Sequence, residues 1–225
     1  MGYLGYKTGI QPNTKGADDL FSDLQGTRDG APFSADWILA KCMEGRVFCA
    51  NSGTGTAPST WGAGGLSTTE FDFHLSVPSG TTVIPLELSA VFEVWGSNSI
   101  FEIVALTGTG SITGAGTAIT PTNLRTDAPY TSLCTITAEP TTTSTTAATT
   151  NIVEFWREGI IKVVTPATAG ASGGTIGTKF SWSHKTAGYS PVIVGAGQMV
   201  VYLSAQAGEG FFTLIYVEIP SSRVT

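Results

Sequence analysis

Residues 191–219 read PVIVGAGQMVVYLSAQAGEGFFTLIYVEI, two apolar runs joined by the turn Ala207-Gly208-Glu209-Gly210. Both runs are rich in β-branched and aromatic residues, and neither shows the 3.6-residue spacing of an amphipathic helix. Strands this continuously apolar bury both faces. The two runs are therefore expected to pair as a hairpin at the centre of a sheet, with one side in the core and the other against a second subunit. Phe211, Phe212, Ile215, Tyr216 and Val217 are the expected contact residues, together with Trp182 from the strand before them. Each fully buried Phe, Leu or Ile here contributes roughly 1.5–3 kcal/mol. A charge at Ile215 is expected to abolish folding or assembly.

Working outward, period-2 alternation recurs along most of the chain. In 70–77, Phe71, Phe73, Leu75 and Val77 point one way and Asp72, His74 and Ser76 the other. Pro78-Ser79-Gly80 makes a turn, since proline fixes φ and glycine frees it. Residues 82–95 form a long strand with Ile84, Leu86, Leu88, Phe92 and Val94 on its apolar face, and Ala90/Val91 suit a bulge. Gly96-Ser97-Asn98 closes a hairpin into 100–106. Further strands are expected at 46–50, 131–138, 152–164 and 178–184. Segments 107–127 and 166–177 read as Gly/Thr-rich loops, and 140–151, PTTTSTTAATTN, as a low-complexity loop or pairing edge. Residues 34–44 hold the one helical signal, with Ser34 as cap. The expected fold is all-β: a two-sheet antiparallel sandwich of jelly-roll type over residues 33–225, with an extended N-terminal arm at 1–32 and at most one short helix.

Charge is scarce. Asp, Glu, Lys and Arg make up 12% of the 225 residues, about half the ~25% usual in a soluble domain. Residues 103–124, 140–153, 163–178 and 186–208 carry none. A folded chain this neutral is expected to hide much of its exterior against copies of itself. Net charge is −6, and Lys7, Lys15 and Arg28 stand among Asp18, Asp19, Asp23 and Asp29, so no basic arm offers direct nucleic-acid contact. No apolar run approaches the ~20 residues of a membrane helix. Residues 1–16 lack a signal-peptide core, so neither membrane insertion nor classical export is expected.

The residues that carry chemistry are sparse. Cys42, Cys49 and Cys134 have no metal-ligand spacing and read as free, half-buried thiols, with a Cys42–Cys49 bridge as the alternative. With only His74 and His184, no zinc site is expected, nor any cofactor. Gly170-Ala171-Ser172-Gly173-Gly174 matches the letters of a nucleophile elbow but lacks the preceding buried strand. His184 opposite Asp72 is a candidate pH-sensitive pair. Glu87 and Glu93 share a strand face at ~20 Å, too far apart for a glycosidase pair at about 5–10 Å. Trp61, in the loop 57–65, is the one tryptophan expected to reach a ligand, which keeps a sugar-binding module in view. No catalytic residues are expected. The absence of an Asn-x-Ser/Thr acceptor agrees with a product made in a bacterial host.

The stretches Ala35-Asp36-Trp37 and Met43-Glu44-Gly45-Arg46-Val47-Phe48 resemble single jelly-roll virion structural proteins of environmental bacteriophages, and so does the closing run Gly210-Phe211-Phe212-Thr213-Leu214-Ile215-Tyr216-Val217-Glu218-Ile219-Pro220. The ending is also similar to trimeric jelly-roll domains of the C1q/TNF type. The resemblance implies a self-assembling capsid subunit, shell-forming or head-decorating, that forms trimers. Its partners would be its own copies and other virion proteins, and its location the virion, assembled in the host cytoplasm. The missing basic arm departs from many single jelly-roll coats. The alternative class is the receptor- or carbohydrate-binding head of a spike or tail fibre, with a host-surface glycan as ligand and 107–127 and 140–151 as its surface.

Overall fold

The computed structural model describes residues 36–61, 71–94, 100–110, 116–138, 150–161, 178–203 and 208–224. The arm expected at 1–32 and most of the loops expected at 140–151 and 166–177 lie outside the described residues.

Two antiparallel sheets face each other. The first holds β1 (Val47–Ser52), β2 (Ser59–Trp61), β4 (Thr81–Val94), β7 (Thr122–Asn123), β10 (Thr178–Ser183), β11 (Ile193–Val194) and β13 (Gly208–Pro220). Its main order is β10-β4-β13-β1-β7. The second runs β6-β8-β3-β12-β5-β9, from β3 (Phe73–Val77), β5 (Ile100–Thr109), β6 (Thr117–Ile119), β8 (Thr135–Ala138), β9 (Thr150–Ile161) and β12 (Gly197–Leu203). If β1, β3, β4, β5, β9, β10, β12 and β13 are counted as strands one to eight, the sheets read 1-8-3-6 and 2-7-4-5. That is the double Greek key of a jelly roll. The closing strand β13 lies between β1 and β4, central as expected. However, β12 lies in the other sheet between β3 and β5, so the two closing runs cross between sheets instead of pairing as a hairpin. The hairpin expected between β4 and β5 is likewise absent, since those strands also belong to different sheets.

Alternation sets which side chains enter the core, and bulges reset it. Phe212, Leu214 and Tyr216 of β13 point inward, as do Leu88, Ala90 and Phe92 of β4. The ladder slips between Ile215 and Tyr216, opposite Glu87 and Pro85, so Leu86 is the extra residue and turns outward with Ile84. Bulges thus fall at Leu86 and, opposite Glu209/Gly210, at Glu93, while Ala90/Val91 keep their alternation. Pro85, with no N–H to give, sits at the first of these irregular points. A slip in the other sheet, in β9 opposite Ala105/Leu106, lets both Phe155 and Trp156 enter the core. Aromatic rings fill the space between the sheets: Phe73 and Phe212 lie 4.6 Å apart, Phe92 and Phe101 4.9 Å, and Phe101 and Phe180 5.5 Å.

Among the described residues there are two short α-helices where at most one was expected. In α1 (Trp37–Met43) the cap is Asp36, whose Oδ1 accepts from Ile38 N at 2.8 Å; Ser34 lies outside the described residues. Ile38 and Cys42, four apart on one face, pack onto Val47, Leu86, Val217 and Ile219. Gly45 ends the turn at φ +70°, where a Cβ would run into the Pro129 ring. The second helix, α2 (His184–Ala187), is one turn capped by Ser183 Oγ, which accepts from Thr186 N at 3.2 Å. The segment 107–127 also departs from a plain loop, since β5 extends to Thr109 and β6 and β7 follow.

Candidate functional site

On the outward side of the first sheet, register brings three rows together. Lys179, Val91 and Phe211 are adjacent across β10, β4 and β13. Ser181, Ser89, Thr213 and Asn51 form the next row, and Glu87, Ile215 and Cys49 the third. Val91 is 41% exposed and Phe211, Ile215 and Cys49 are half-buried. Thr213 Oγ1 donates to Asn51 Oδ1 at 2.8 Å, which ties the middle row. The patch is apolar and hydroxyl-bearing at its centre, with Lys179 and Glu87 at its flank. Beyond Ile215, α1 covers the same face over Val217 and Leu86.

The residues expected at a subunit contact therefore divide. Phe211 and Ile215 lie on the open outer patch. Val217 shares that face but is fully buried within its own chain, in the cluster that α1 packs on. Phe212 and Tyr216 are buried inside the sandwich, and Trp182 stands there edge-on to Phe155 at 5.2 Å. Strand alternation puts the latter three on the wrong side to touch a neighbour. Trp61 corrects the expectation of an exposed loop residue. It is 1% exposed, because β2 pairs Trp61 with Gly208 and turns the ring onto Phe92 and Phe212, at 5.9 and 5.3 Å. Ser-Thr-Trp is too short an alternation to stand out among Gly-rich flanks. The His184–Asp72 pair does not form: His184 Nδ1 lies 3.0 Å from Leu86 O, while Asp72 Oδ2 accepts from Leu203 N at 2.7 Å in the other sheet. All three cysteines are free thiols, and burial pushes each of them up.

A cleft of about 400 Å³ opens between residues 51–59 and β6. Its lining includes Asn51, Ser52, Thr54, Ser59, Thr117 and Thr120, and no ionisable side chain. Ser52 Oγ accepts from Phe212 N at 3.2 Å and Thr54 Oγ1 from Ala57 N at 3.1 Å. A hydroxyl that accepts one hydrogen bond keeps its own hydrogen and a second lone pair.

Two further polar groups are buried, Glu218, which carried no sequence signal, and His74, read from sequence as a satisfied or interfacial histidine. Glu218 is 3% exposed. Ser132 Oγ donates to its Oε2 at 2.7 Å, and Leu133 N reaches both carboxylate oxygens at 3.0 and 3.2 Å. The Tyr216 hydroxyl joins Ser132 Oγ at 2.8 Å. Burial pushes the Cys134 thiol and the Tyr216 phenol up, the Glu218 charge acts in the same direction on both, and the Ser132 hydrogen bonds oppose it. The second group is on the outward side of the second sheet. His74 (4% exposed) stands opposite Thr137 on β8 and diagonal to Gln198 (1% exposed) on β12. His74 Nε2, Thr137 Oγ1 and both polar atoms of the Gln198 amide are buried and find no hydrogen-bond partner. Among the described residues no cluster of three His, Cys, Asp or Glu side chains is arranged to hold a metal ion.

Compared with family models, curated proteins and solved structures, the chain matches none.

Proposed function

We propose that this chain is a non-enzymatic structural protein of a bacteriophage virion, a jelly-roll capsid subunit that forms the shell or decorates the head by associating with copies of itself. The carrying observation is the open patch around Phe211, Ile215 and Val91, apolar and hydroxyl-bearing on the broad face of the central strands. Such a face joins a second copy without stripping water from ions, a cost of several kcal/mol each. The low charge of the whole chain points the same way, and the resemblance of its ends to phage virion proteins supplies the particle. A trimer is the assembly this reading favours, located in the virion and built in the host cytoplasm. Size-exclusion chromatography with light scattering tests it: trimers or larger species are expected, and a monomer at high concentration overturns it. Removing residues 1–32 is expected to block assembly while the β circular-dichroism signal persists.

A second reading, the receptor- or carbohydrate-binding head, is favoured by the neutral cleft of Asn51, Thr54 and Thr117 rather than by the buried Trp61. Neutral hydroxyl-rich sugars match a lining without ions. An NMR titration with glucose, galactose and N-acetylglucosamine that shifts residues 51–59 and 117–120 would favour this head over the capsid subunit.

A further inference from the structure

Three strands contribute to the unpartnered polar patch on the second sheet, and each places its side chain by alternation. Phe73, Leu75 and Val77 of β3 enter the core, so His74 points outward. Met199 and Val201 of β12 do the same and leave Gln198 outward, and Ile136 and Ala138 of β8 leave Thr137 outward. The result is an imidazole, a hydroxyl and an amide sharing a dry surface beside Phe71, whose ring lies 4.9 Å from that of His74. A buried donor or acceptor without a partner is costly, and a buried charge without one far more so.

We propose that His74, Thr137 and Gln198 form an acid-sensitive latch: when the His74 ring takes a second proton, the short strands β6 and β8 part from β3 and expose the ring to water.

No counter-charge faces the ring from the described elements packed around it. On the β3 side, Asp72 gives an oxygen to Leu203 N. The titratable group of β12 is the Tyr202 phenol, which burial and the Asp72 charge hold in its neutral form. β6 and β8 carry no ionisable side chain. On β5, Glu102 is engaged by Arg157 of β9 at 3.4 Å. Burial accordingly pushes the His74 ring down to about 4, with the Gln198 amide opposing weakly. The element free to yield is the edge. β8 meets β3 over four register pairs and β6 meets β8 over three, whereas β13 meets β4 along twelve. Opening the edge gives His74 its ordinary affinity for a proton, so acid favours the open form.

The test follows the full-length protein by NMR. The His74 ring is expected to remain neutral through pH 6 in the folded state. Amide exchange in Thr135–Ala138, corrected for intrinsic rates, is expected to report opening that rises on the order of 100-fold between pH 7 and pH 4. Central β13 amides should rise far less, and His74→Gln should remove the increment. A folded-state His74 titration near 6.5, or an equal rise in exchange in His74→Gln, overturns the latch. Should His74→Gln fail to fold, the wild-type ring titration and the contrast between β8 and β13 still decide.

Discussion

On the first sheet, the outward side of β13 carries Phe211, Thr213 and Ile215, each partly open to water. On the second, the outward side of β12 carries Gln198, Val200 and Tyr202, each at least nine-tenths buried, with Phe71 and Leu106 packed on the two apolar ones. Both strands are central, both read as continuous apolar runs, and both contribute their alternate residues to one shared core. The difference shows that two-sided hydrophobicity marks a central strand without saying what covers its second side. One outer face is left partly open to water, and the other is closed within the chain around polar groups. A second contrast sharpens this. Glu218 and His74 are equally buried titratable groups, yet the carboxylate collects three donor contacts and the imidazole's Nε2 collects none.

The largest effect is expected from truncating one aromatic on each face. Tyr202→Ala is expected to cost about 3–5 kcal/mol in urea unfolding, as for other buried aromatics. Phe211→Ala is expected to cost less than about half of that in the isolated subunit. Equal losses would show that the two faces are covered alike.

Acid comes next. The folded-state affinity of His74 for protons is lowered, so its contribution is fully present above the ordinary value of 6.5 and is lost as pH falls from there towards 4. The expected loss is about 3 kcal/mol by pH 4, read as a falling urea midpoint that His74→Gln flattens. A wild-type midpoint independent of pH over that range would dissolve the contrast between the two buried titratable groups.

Glu218→Gln is smaller, about 1.5–3 kcal/mol, because the amide keeps one acceptor but loses the charge that strengthens the Ser132 and Leu133 bonds. Thermal unfolding with Tyr216 fluorescence or near-ultraviolet dichroism measures it. The smallest effect on the isolated fold is expected from Phe211→Ser with Ile215→Ser. Subunit stability should change by about 1 kcal/mol or less, while the mass seen by light scattering drops. Unchanged mass would remove the open face from any role in assembly.

Much of this architecture is legible in the sequence, since alternation and turn residues are local signals. Phe71, Phe73, Leu75 and Val77 alternate visibly, Pro78-Ser79-Gly80 turns, and FFTLIYVEI demands a central position. Sidedness is less legible. Leu86 leaves the core because one extra residue in β4 shifts the ladder, and Trp61 enters it because a three-residue strand finds Gly208–Gly210 across from it. Neither event has a local signature. The candidate patch shows the same limit, since Phe211 and Ile215 are separated from Phe212 and Tyr216 only by parity.

The sequence by itself determined the class of fold, the central closing strand and the shortage of charge, because composition and period-2 spacing act on every residue where it stands. Three-dimensional packing set which apolar face α1 covers, which stays open, and that His74 meets an amide and a hydroxyl with no counter-ion among the described residues. Those outcomes depend on pairs such as His74 with Thr137 and Ile215 with Glu87. They are more than sixty residues apart along the chain, brought together by strand register and nothing nearer.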